Sequence, residues 1–333
     1  MTLTPAPFCE IWRGPFAESH HLGHAVLCDD TGQIVRAWGD PHAVVLPRSS
    51  SKMIQALPLI TSGAADARGL STERLALACA SHQGATVHVD AVSAWLADLG
   101  LGESDLLCGP QVSRDGALRR AMVKADEAPC QLHNNCSGKH TGFLTLAQHL
   151  KAGPDYVDPD HPVQRAVLEA FETVTRETSP GFGIDGCSAP NFACTMHGMA
   201  RAMAWFAAAR ERTGTLSTAA ARLTAAMMAH PVMVAGEGRA CTELMRAAKE
   251  PVALKTGAEG YFIAILPERK MGLALKAADG ATRAAECALA AILVGLGVLD
   301  AEHPATKKRM NAPILNRRGI ETGMIRPAQG LMT

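Results

Sequence analysis

The order of strand-like and helix-like segments is the feature that most constrains how this chain folds. Residues 8–16 and 23–38 alternate in polarity or are β-branched, and Asp29-Asp30-Thr31-Gly32 interrupts the second stretch as a hairpin turn does. Strand-like segments return near the C-terminus, at residues 252–255, 261–266 and 271–276, before an apolar helical segment at 281–297. Both ends of the chain therefore supply strands.

The middle of the chain has helical periodicity instead. Apolar residues recur at helical spacing after Ser49, at 71–80, 87–99, 115–124, 139–150 and 163–175, and in two alanine-rich helices within 195–228. Asp160 is the expected cap of the helix at 163–175. Strands at both ends predict an α+β fold, in which an antiparallel sheet built from both chain ends carries packed helices and a helical inserted region.

These segments predict a single catalytic unit over residues 1–333. Its strand-rich parts are about 1–60 and 250–300, and its helical inserted part is about 70–230. The last part, about 305–333, is basic at first and rich in Pro, Gly and Asn, so we expect a tail that runs over the surface.

Composition and charge exclude several classes of protein. With 47% hydrophobic and 19% charged residues the chain can bury a large core, and its equal counts of 32 basic and 32 acidic residues attract neither nucleic acid nor membrane. No secretory signal precedes the first strand, and the apolar run 287–299 is too short to span a bilayer. The 10 cysteines are dispersed as in a reduced cytoplasmic protein. We expect a soluble cytoplasmic protein with a small neutral or zwitterionic partner.

A serine and a lysine three residues apart stand where the first helix begins. Pro47 and the serines after it mark the boundary between a short extended run and that helix. Positions i and i+3 share one face of a helix, so Ser49 and Lys52 can touch. A neutral lysine amine can remove the proton of a serine hydroxyl and make it a nucleophile. The alternative is a serine-capped helix with a solvated lysine.

Two further stretches contain residues suited to the same chemistry. Lys255-Thr256-Gly257 ends a predicted strand, and with the upstream SxxK pattern it is similar to the signature of serine β-lactamases and penicillin-binding proteins. Gly257 lets a ligand approach the backbone closely. Ser81-His82, in a predicted loop, could supply a third point of a proton-transfer network. The alternatives are a strand-end lysine before a turn and a polar surface loop.

Two cysteines lie in polar, glycine-rich stretches that are unlike buried structural positions. These are Cys136 and Cys187, and thiolates in a reduced protein suggest zinc as the ligand. His140 or Asp185 could bind the metal directly or orient its ligands. The chain has neither paired CxxC motifs nor HExxH, so the spacing leaves a non-metal role open.

The motifs form an ordered set. PRSSSKM, ASHQG, NNCSGKHTG, DGCSAPNFA, GEGR and KTGAEG follow one another, and the chain ends with PILNRRGIETGMIRP. In this set the chain resembles the rhizobial type of L-asparaginase II, also called class 3 asparaginase, over nearly its whole length. The resemblance implies a serine β-lactamase-like fold, a homodimer, and hydrolysis of the side-chain amide of L-asparagine to L-aspartate and ammonia.

The resemblance also implies roles for individual residues. It pairs Ser49 with Lys52 and Ser81 with Lys255 as two Ser-Lys tandems, and the choice of Lys255 rests on the KTG motif. It implies one Zn²⁺ per chain, held by Cys136, Lys139 and Cys187 with Asp185 and His140 beside it. The predicted substrate-binding residues are Arg48, His140, Gly257 and Glu259.

The expected mechanism is acyl transfer. Two lysines close together disfavour each other's charge, so a Lys52–Lys255 pair would leave one amine neutral to take the proton of Ser49. Arg48 can hold a substrate carboxylate or form a salt bridge within the fold. Glu237 and Arg239 of GEGR either line the cleft or brace a turn.

Two other functions are compatible with parts of the pattern. One is a penicillin-binding or β-lactamase-like acyltransferase, which the absence of a visible signal peptide disfavours. The other is a non-catalytic zinc or redox protein that uses the thiols of Cys136 and Cys187.

Overall fold

The computed structural model describes residues 4–332 of the chain. Its strands are β1 (Ala6–Arg13), β2 (Phe16–Asp29), β3 (Ile34–Trp38), β4 (Val44–Val45), β5 (Phe182–Ile184), β6 (Pro190–Phe192), β7 (Cys194–Thr195), β8 (Ala253–Gly257), β9 (Tyr261–Leu266), β10 (Met271–Ala277), β11 (Pro313–Leu315) and β12 (Glu321–Pro327). Its α-helices are α1 (Lys52–Gln55), α2 (Leu57–Thr61), α3 (Ala64–Ala67), α4 (Thr72–Ala78), α5 (Thr86–Asp98), α6 (Gly116–Lys124), α7 (Ser137–His149), α8 (Pro162–Thr175), α9 (Met196–Ala207), α10 (Thr215–Ala229), α11 (Pro231–Val234), α12 (Ala240–Ala247), α13 (Thr282–Gly295) and α14 (Pro304–Lys307).

The chain divides into two compact units, where the sequence suggested one. The first unit combines Met1–Ser50, Thr195–Ala208 and Glu243–Thr333, as far as these are described. The second combines Ser51–Cys194 and Ala209–Thr242. The chain therefore leaves the sheet-bearing unit after its first strands and returns to it for the last ones.

An eight-stranded sheet forms the first unit, and it confirms the predicted joining of the two chain ends. The strand order is β11-β12-β1-β2-β10-β9-β8, with β3 paired to β2, and neighbouring strands run antiparallel. N-terminal β2 pairs with C-terminal β10, with Leu27 opposite Leu273. All six residues of β9 are buried, so both faces of this strand are covered.

Helices α9 and α13 pack on this sheet. Gly272 of β10 permits the contact with α9, since a Cβ atom there would lie 2.0 Å from the Ala204 nitrogen. The predicted helical insert of about 70–230 is therefore wrong for α9, which belongs with the strands. An alanine- and methionine-rich helix packs equally well on helices and on a sheet, so its composition did not reveal its neighbours.

The C-terminal tail also differs from its prediction. Residues of the tail form α14, β11 and β12, and β12 pairs with β1, with Ile325 opposite Ile11. The tail is largely exposed or half-buried, as expected of a surface segment, yet it extends the sheet. The β-branched and apolar residues at its end pair with a strand more than 300 positions away, which local composition does not show.

The second unit is helical around a central helix, α7. Residues 137–147 of α7 are all buried, and α2, α3, α4, α5 and α8 pack against it. Two helices that the sequence predicts, at 71–80 and 115–124, have side-chain caps, since Ser71 caps α4 and Asp115 caps α6. The cap of α8 is His161, whose Nδ1 accepts from the Val163 N–H at 3.2 Å, and the predicted Asp160 is wrong.

No helix within residues 4–332 is both long and apolar enough to cross a membrane.

Candidate active site

The Ser49 segment belongs to the first unit and packs against the end of β8. Residues 48–51 form a 3₁₀ turn, in which the Ser50 N–H donates to the Pro47 carbonyl at 3.0 Å. A Cβ atom at Gly257 would lie 2.7 Å from the Pro47 oxygen and 2.8 Å from Ser50 Oγ. Only glycine therefore fits at the KTG position beside this turn. The close neighbours are protein atoms, so the predicted approach of a ligand to Gly257 stays a prediction.

Arg48 is the first residue of this turn and has a left-handed backbone conformation. Its φ of 52° lies in a region that side chains other than glycine, Asn and Asp rarely adopt. Such strain clusters at functional sites, where surrounding structure maintains it. Ser49 follows Arg48 directly and is half-buried, so it lies neither on the open surface nor fully within the core.

Lys255 and Glu259 occupy opposite environments in the first unit. The side chain of Lys255 is fully buried, and its Nζ donates to the Thr256 carbonyl at 2.8 Å. Glu259 is exposed, with a φ of 58°, and its carboxylate interacts with Lys276 and lies beside Gly280. Burial of a lysine side chain carries a large desolvation cost, so proteins rarely bury one without a compensating role. The burial of Lys255 is therefore notable.

Lys52 is the first residue of α1 in the second unit and is 1% exposed. Its Nζ donates to the Ala80 carbonyl, to the Asn135 carbonyl at 3.5 Å and to Cys136 Sγ at 3.2 Å. Ala80 precedes Ser81, whose N–H donates to the Val234 carbonyl at 2.9 Å. The Lys52 amine is therefore bonded to the residue beside Ser81 and to a predicted zinc ligand.

The three predicted zinc ligands lie together in the second unit. Lys139 Nζ lies 3.1 Å from Cys187 Sγ, and the thiols of Cys136 and Cys187 are hydrogen-bonded to each other. All three side chains are nearly fully buried, at 3% to 4% exposure. The helix α7 positions Lys139, while Cys136 directly precedes that helix.

The pKa values of the two thiols in this cluster are shifted in opposite directions. The hydrogen bond from Cys136 and the charge of Lys139 hold the pKa of Cys187 well below its ordinary value of 9.0, although burial opposes this. The same hydrogen bond, together with burial, holds the pKa of Cys136 well above that value. The pKa of Lys139 is raised by both sulfurs against the effect of burial. Without a metal, the cluster therefore contains a Cys187 thiolate beside a Lys139 ammonium.

His140 follows Lys139 in α7, and its side chain is fully buried. Its Nδ1 forms a hydrogen bond with Tyr156 OH at 2.9 Å, and that hydroxyl also accepts from the Leu107 N–H at 2.7 Å. The imidazole also interacts with Cys187 and helps to lower the pKa of that thiol. Burial lowers the pKa of His140 to about 4, so the ring is neutral at pH 7.

Asp185 lies at the edge of this cluster. Its Oδ1 accepts from the Gly186 N–H at 2.7 Å, and its charge contributes to the raised pKa of Lys139. Tyr156 is a contact that the sequence interpretation missed. The chain has only 2 tyrosines, and one of them stands in the loop before α8, but no motif connects it with His140.

The donor set fits a zinc ion. Two sulfurs and one nitrogen are suitable ligands, and a tetrahedral zinc would hold sulfur and nitrogen about 3.6 Å apart. The observed 3.1 Å between Lys139 Nζ and Cys187 Sγ is a few tenths of an ångström shorter, so a small outward shift would accommodate the ion. No group of three or more His, Cys, Asp or Glu side chains suited to a metal occurs within residues 4–332. The predicted set includes only two residues of those types.

The predicted tandems each have one residue in each unit. Ser49 and Lys255 belong to the first unit, and Lys52 and Ser81 to the second. Their pairing stays a prediction, as do the substrate-binding roles of Arg48, His140, Gly257 and Glu259.

Comparison with known proteins identifies a family. A family model described as L-asparaginase II matches residues 9–327. No curated protein shows a significant similarity to the chain. Among solved structures, the native form of Mglu shares 14% identity over 84% of this chain and 66% of its own, with a TM-score of 0.45. The chain spans 62% of the length of Mglu in the structure of its glutamate form.

Two other solved structures show still weaker similarity to the chain. A putative β-lactamase from Bacteroides dorei DSM 17855 shares 12% identity over 77% of this chain and 84% of its own, with a TM-score of 0.41. An octameric penicillin-binding protein homologue from Pyrococcus abyssi shares 11% identity over 89% and 80%, with a TM-score of 0.36. These similarities are too low to support an inference about activity. The family match covers nearly the whole chain, and the protein therefore belongs to the L-asparaginase II family.

Proposed function

We propose that the protein is an L-asparaginase that hydrolyses the side-chain amide of L-asparagine through a serine acyl-enzyme. Family membership supports a hydrolase of this kind. The observation that carries the proposal is the setting of Lys52, a buried lysine that bonds carbonyl oxygens and a sulfur. No carboxylate within residues 4–332 pairs with its amine. A lysine that serves as a general base needs a setting without a carboxylate, because a paired carboxylate would retain the proton. To act as the base, Lys52 must also give up one of its three donated hydrogen bonds and so expose a lone pair.

The proposed first step forms the acyl-enzyme. Ser49 Oγ attacks the side-chain carbonyl carbon of asparagine, and Lys52 takes the hydroxyl proton. The C–N bond then breaks, and the nitrogen leaves as ammonia after receiving a proton from the Ser81–Lys255 pair. Backbone N–H groups at the Ser49 turn and along Gly257 to Gly260 are the candidate donors to the oxyanion.

The second step returns the free enzyme. Water attacks the acyl carbon and its proton passes to the Ser81–Lys255 pair. The bond to Ser49 Oγ breaks to release aspartate, and Lys52 returns its proton to Ser49 Oγ. The burial of Lys255 supports a role in proton transfer, since a lysine with a purely structural role rarely lies at 0% exposure.

We also propose one zinc per chain, bound by Cys136, Lys139 and Cys187. Zinc bound there would supply an open coordination position near the substrate. The Tyr156–His140 bond would orient the imidazole beside the thiolates. Because Lys139 must lose its proton to become a ligand, zinc affinity should fall on acidification. The homodimer and the cytoplasmic location stay predictions.

Substrate turnover tests the proposal. Purified protein should release ammonia and aspartate from L-asparagine, and Ser49→Ala should abolish this release. Full turnover in that variant would refute the assignment of the nucleophile. A fluorescent penicillin that acylates Ser49 would favour a penicillin-binding enzyme, and the absence of any turnover would favour a non-catalytic thiol protein.

Elemental analysis tests the zinc site. Protein purified without chelators should contain about one zinc per chain, and Cys136→Ser should lose it. Cys28→Ser is a matched control, because Cys28 is a buried cysteine of β2 in the first unit. Equal zinc contents in the two variants would contradict the assignment.

A further inference from the structure

Two arginines of the second unit lie close together without an acidic partner. Arg114 follows the buried Ser113, and Arg239 ends the Gly236–Arg239 turn. Neither guanidinium donates a hydrogen bond or forms an ion pair with any group in residues 4–332. The charge of Arg239 nevertheless acts on Arg114, and so does the Cys136 sulfur. Two unpaired cations are therefore close to each other and to the proposed zinc ligand.

The loop that carries Arg114 is tied to two predicted site segments. At one end, Gln111 Oε1 accepts from the Asn135 N–H at 3.0 Å, next to Cys136. In the middle, Ser113 Oγ donates to the Gly84 carbonyl at 2.8 Å, and the Arg114 N–H donates to the Gln83 carbonyl at 2.8 Å. The backbone of Arg114 is thereby fixed between the Cys136 turn and the loop of Ser81.

Arg239 approaches the same loop from another side. A Cβ atom at Gly236 would lie 2.5 Å from the Gln83 side chain, so the Gly236–Arg239 turn packs directly on Gln83. Gln83 Nε2 in turn donates to Asp115 Oδ2 at 3.3 Å. Gln83 is therefore a shared support, which contacts both the loop of Arg114 and the turn of Arg239.

This arrangement is suited to an anion. Burial and the charge of Arg239 lower the pKa of Arg114, so each guanidinium disfavours the charge of the other. A carboxylate between them would relieve that repulsion and accept hydrogen bonds from both. Arg114 is partly exposed and Arg239 half-buried, so a small solute can reach them.

We propose that Arg114 and Arg239 together bind the α-carboxylate of the amino-acid substrate. This inference rests on the proposed function, which requires an amino acid beside Ser81 and the zinc ligands. It moves the carboxylate role from Arg48, for which the sequence left a salt bridge within the fold equally open, to a pair of residues in the second unit. The role left open for Arg239 in the GEGR motif is thereby assigned.

Kinetics with two substrates test the inference. Arg114→Gln and Arg239→Gln should each raise the KM for L-asparagine by about ten- to a hundredfold, as expected for the loss of a charged hydrogen bond. 3-Aminopropanamide has the same amide but no carboxylate, so its slow turnover should be unchanged. Arg119→Gln, which removes an exposed arginine of α6, is the control. Equal losses with both substrates, or no loss with asparagine, would overturn the inference.

Binding measurements separate this inference from the proposed function. In a Ser49→Ala background, calorimetry should show aspartate binding that weakens ten- to a hundredfold in each arginine variant, with partial recovery in Arg114→Lys. Asparagine hydrolysis with undiminished aspartate affinity in the variants overturns the inference alone. Arginine-dependent aspartate binding without hydrolysis overturns the proposed function alone. Absence of both aspartate binding and hydrolysis overturns both.

Discussion

The two units bury very different side chains. In the described part of the first unit, the buried polar or charged residues are His21, Ser50, Lys255, Thr306 and Arg309, and apolar strands and α13 supply the rest of the core. The second unit buries many more polar groups, and its central helix carries Lys139 and His140 within the core. The first unit is a conventional apolar core with one buried lysine, whereas the second contains a polar network.

The difference indicates in which unit a substitution should lower stability the most. An apolar core tolerates exchanges of similar volume, because its contacts are not directional. A buried polar network fails when one member is removed, because its partners keep their desolvation cost without a bond. Substitutions in the polar network of the second unit should therefore affect stability and chemistry together, while substitutions in the apolar core of the first should affect mainly packing.

The largest expected effect comes from Lys52→Met. Loss of the proposed base should lower turnover of L-asparagine by about 10²–10⁴-fold. The carbonyl of Ala80 and the sulfur of Cys136 would also lose a buried donor, so the free energy of unfolding should fall by about 1–3 kcal/mol. Steady-state kinetics and urea unfolding measure the two effects.

A matched control distinguishes this result from the effect of removing any lysine side chain. Lys124→Met removes an exposed lysine at the end of α6 and should change neither quantity measurably. If Lys52→Met retains full turnover, the amine is not the base. If it loses turnover without loss of stability, the second unit is not the sensitive network that its contacts indicate.

The sequence predicted much of the fold because its signals are local. The alternation in β2 and β3, the Asp29–Gly32 turn and the apolar β9 each indicate a strand without knowledge of partners. The caps Ser71 and Asp115 are local features as well, since each bonds its own first turn, although the sequence interpretation did not name them as caps. The pairing of β12 with β1 and the place of α9 on the sheet are long-range results of packing, which no local pattern contains.

The site was predictable to the same degree. The polar, glycine-rich surroundings singled out Cys136 and Cys187, the family resemblance added Lys139, and the structure brings these three together. The contact of Lys52 with Cys136 and the bond between Tyr156 and His140 join residues 84 and 16 positions apart. The Arg114–Arg239 pair joins two loops that no motif connects. Such pairs follow from the fold of α7 and its neighbours, so they become visible only in three dimensions.

A packing change in the first unit should have the next largest effect. Gly257→Ala places a Cβ atom 2.7 Å from the Pro47 oxygen and 2.8 Å from Ser50 Oγ. Relief of this overlap must displace the Ser49 turn or β8, at a cost of about 1–3 kcal/mol in unfolding free energy. Urea unfolding measures the cost. Gly153→Ala has no heavy atom within 4 Å of its Cβ and serves as the control. Equal stability of the two variants would contradict the observed packing at the KTG turn.

A smaller effect concerns acid stability in the second unit. His88 is fully buried, its Nε2 bonds the Val232 carbonyl at 2.9 Å, and burial lowers its pKa below the ordinary 6.5. When the pH falls below about 6.5, the unfolded chain gains a proton that the native protein resists, so stability is lost. His88→Gln keeps a donor for Val232 but cannot titrate. Unfolding free energies between pH 7 and 5 should decline less steeply in the variant, and an unchanged slope would refute this role.

The smallest expected effect lies at the surface of the first unit. Arg13 Nε and Glu18 Oε2 are 2.9 Å apart, and their side chains are 48% and 47% exposed. Water competes for both charges, so Glu18→Gln should cost about 0.2–1 kcal/mol and less at high salt. Urea unfolding at low and high ionic strength checks this. A loss as large as that of Lys52→Met would mean that exposed charges of the first unit matter as much as the buried network of the second. The contrast between the units would then not be one of burial.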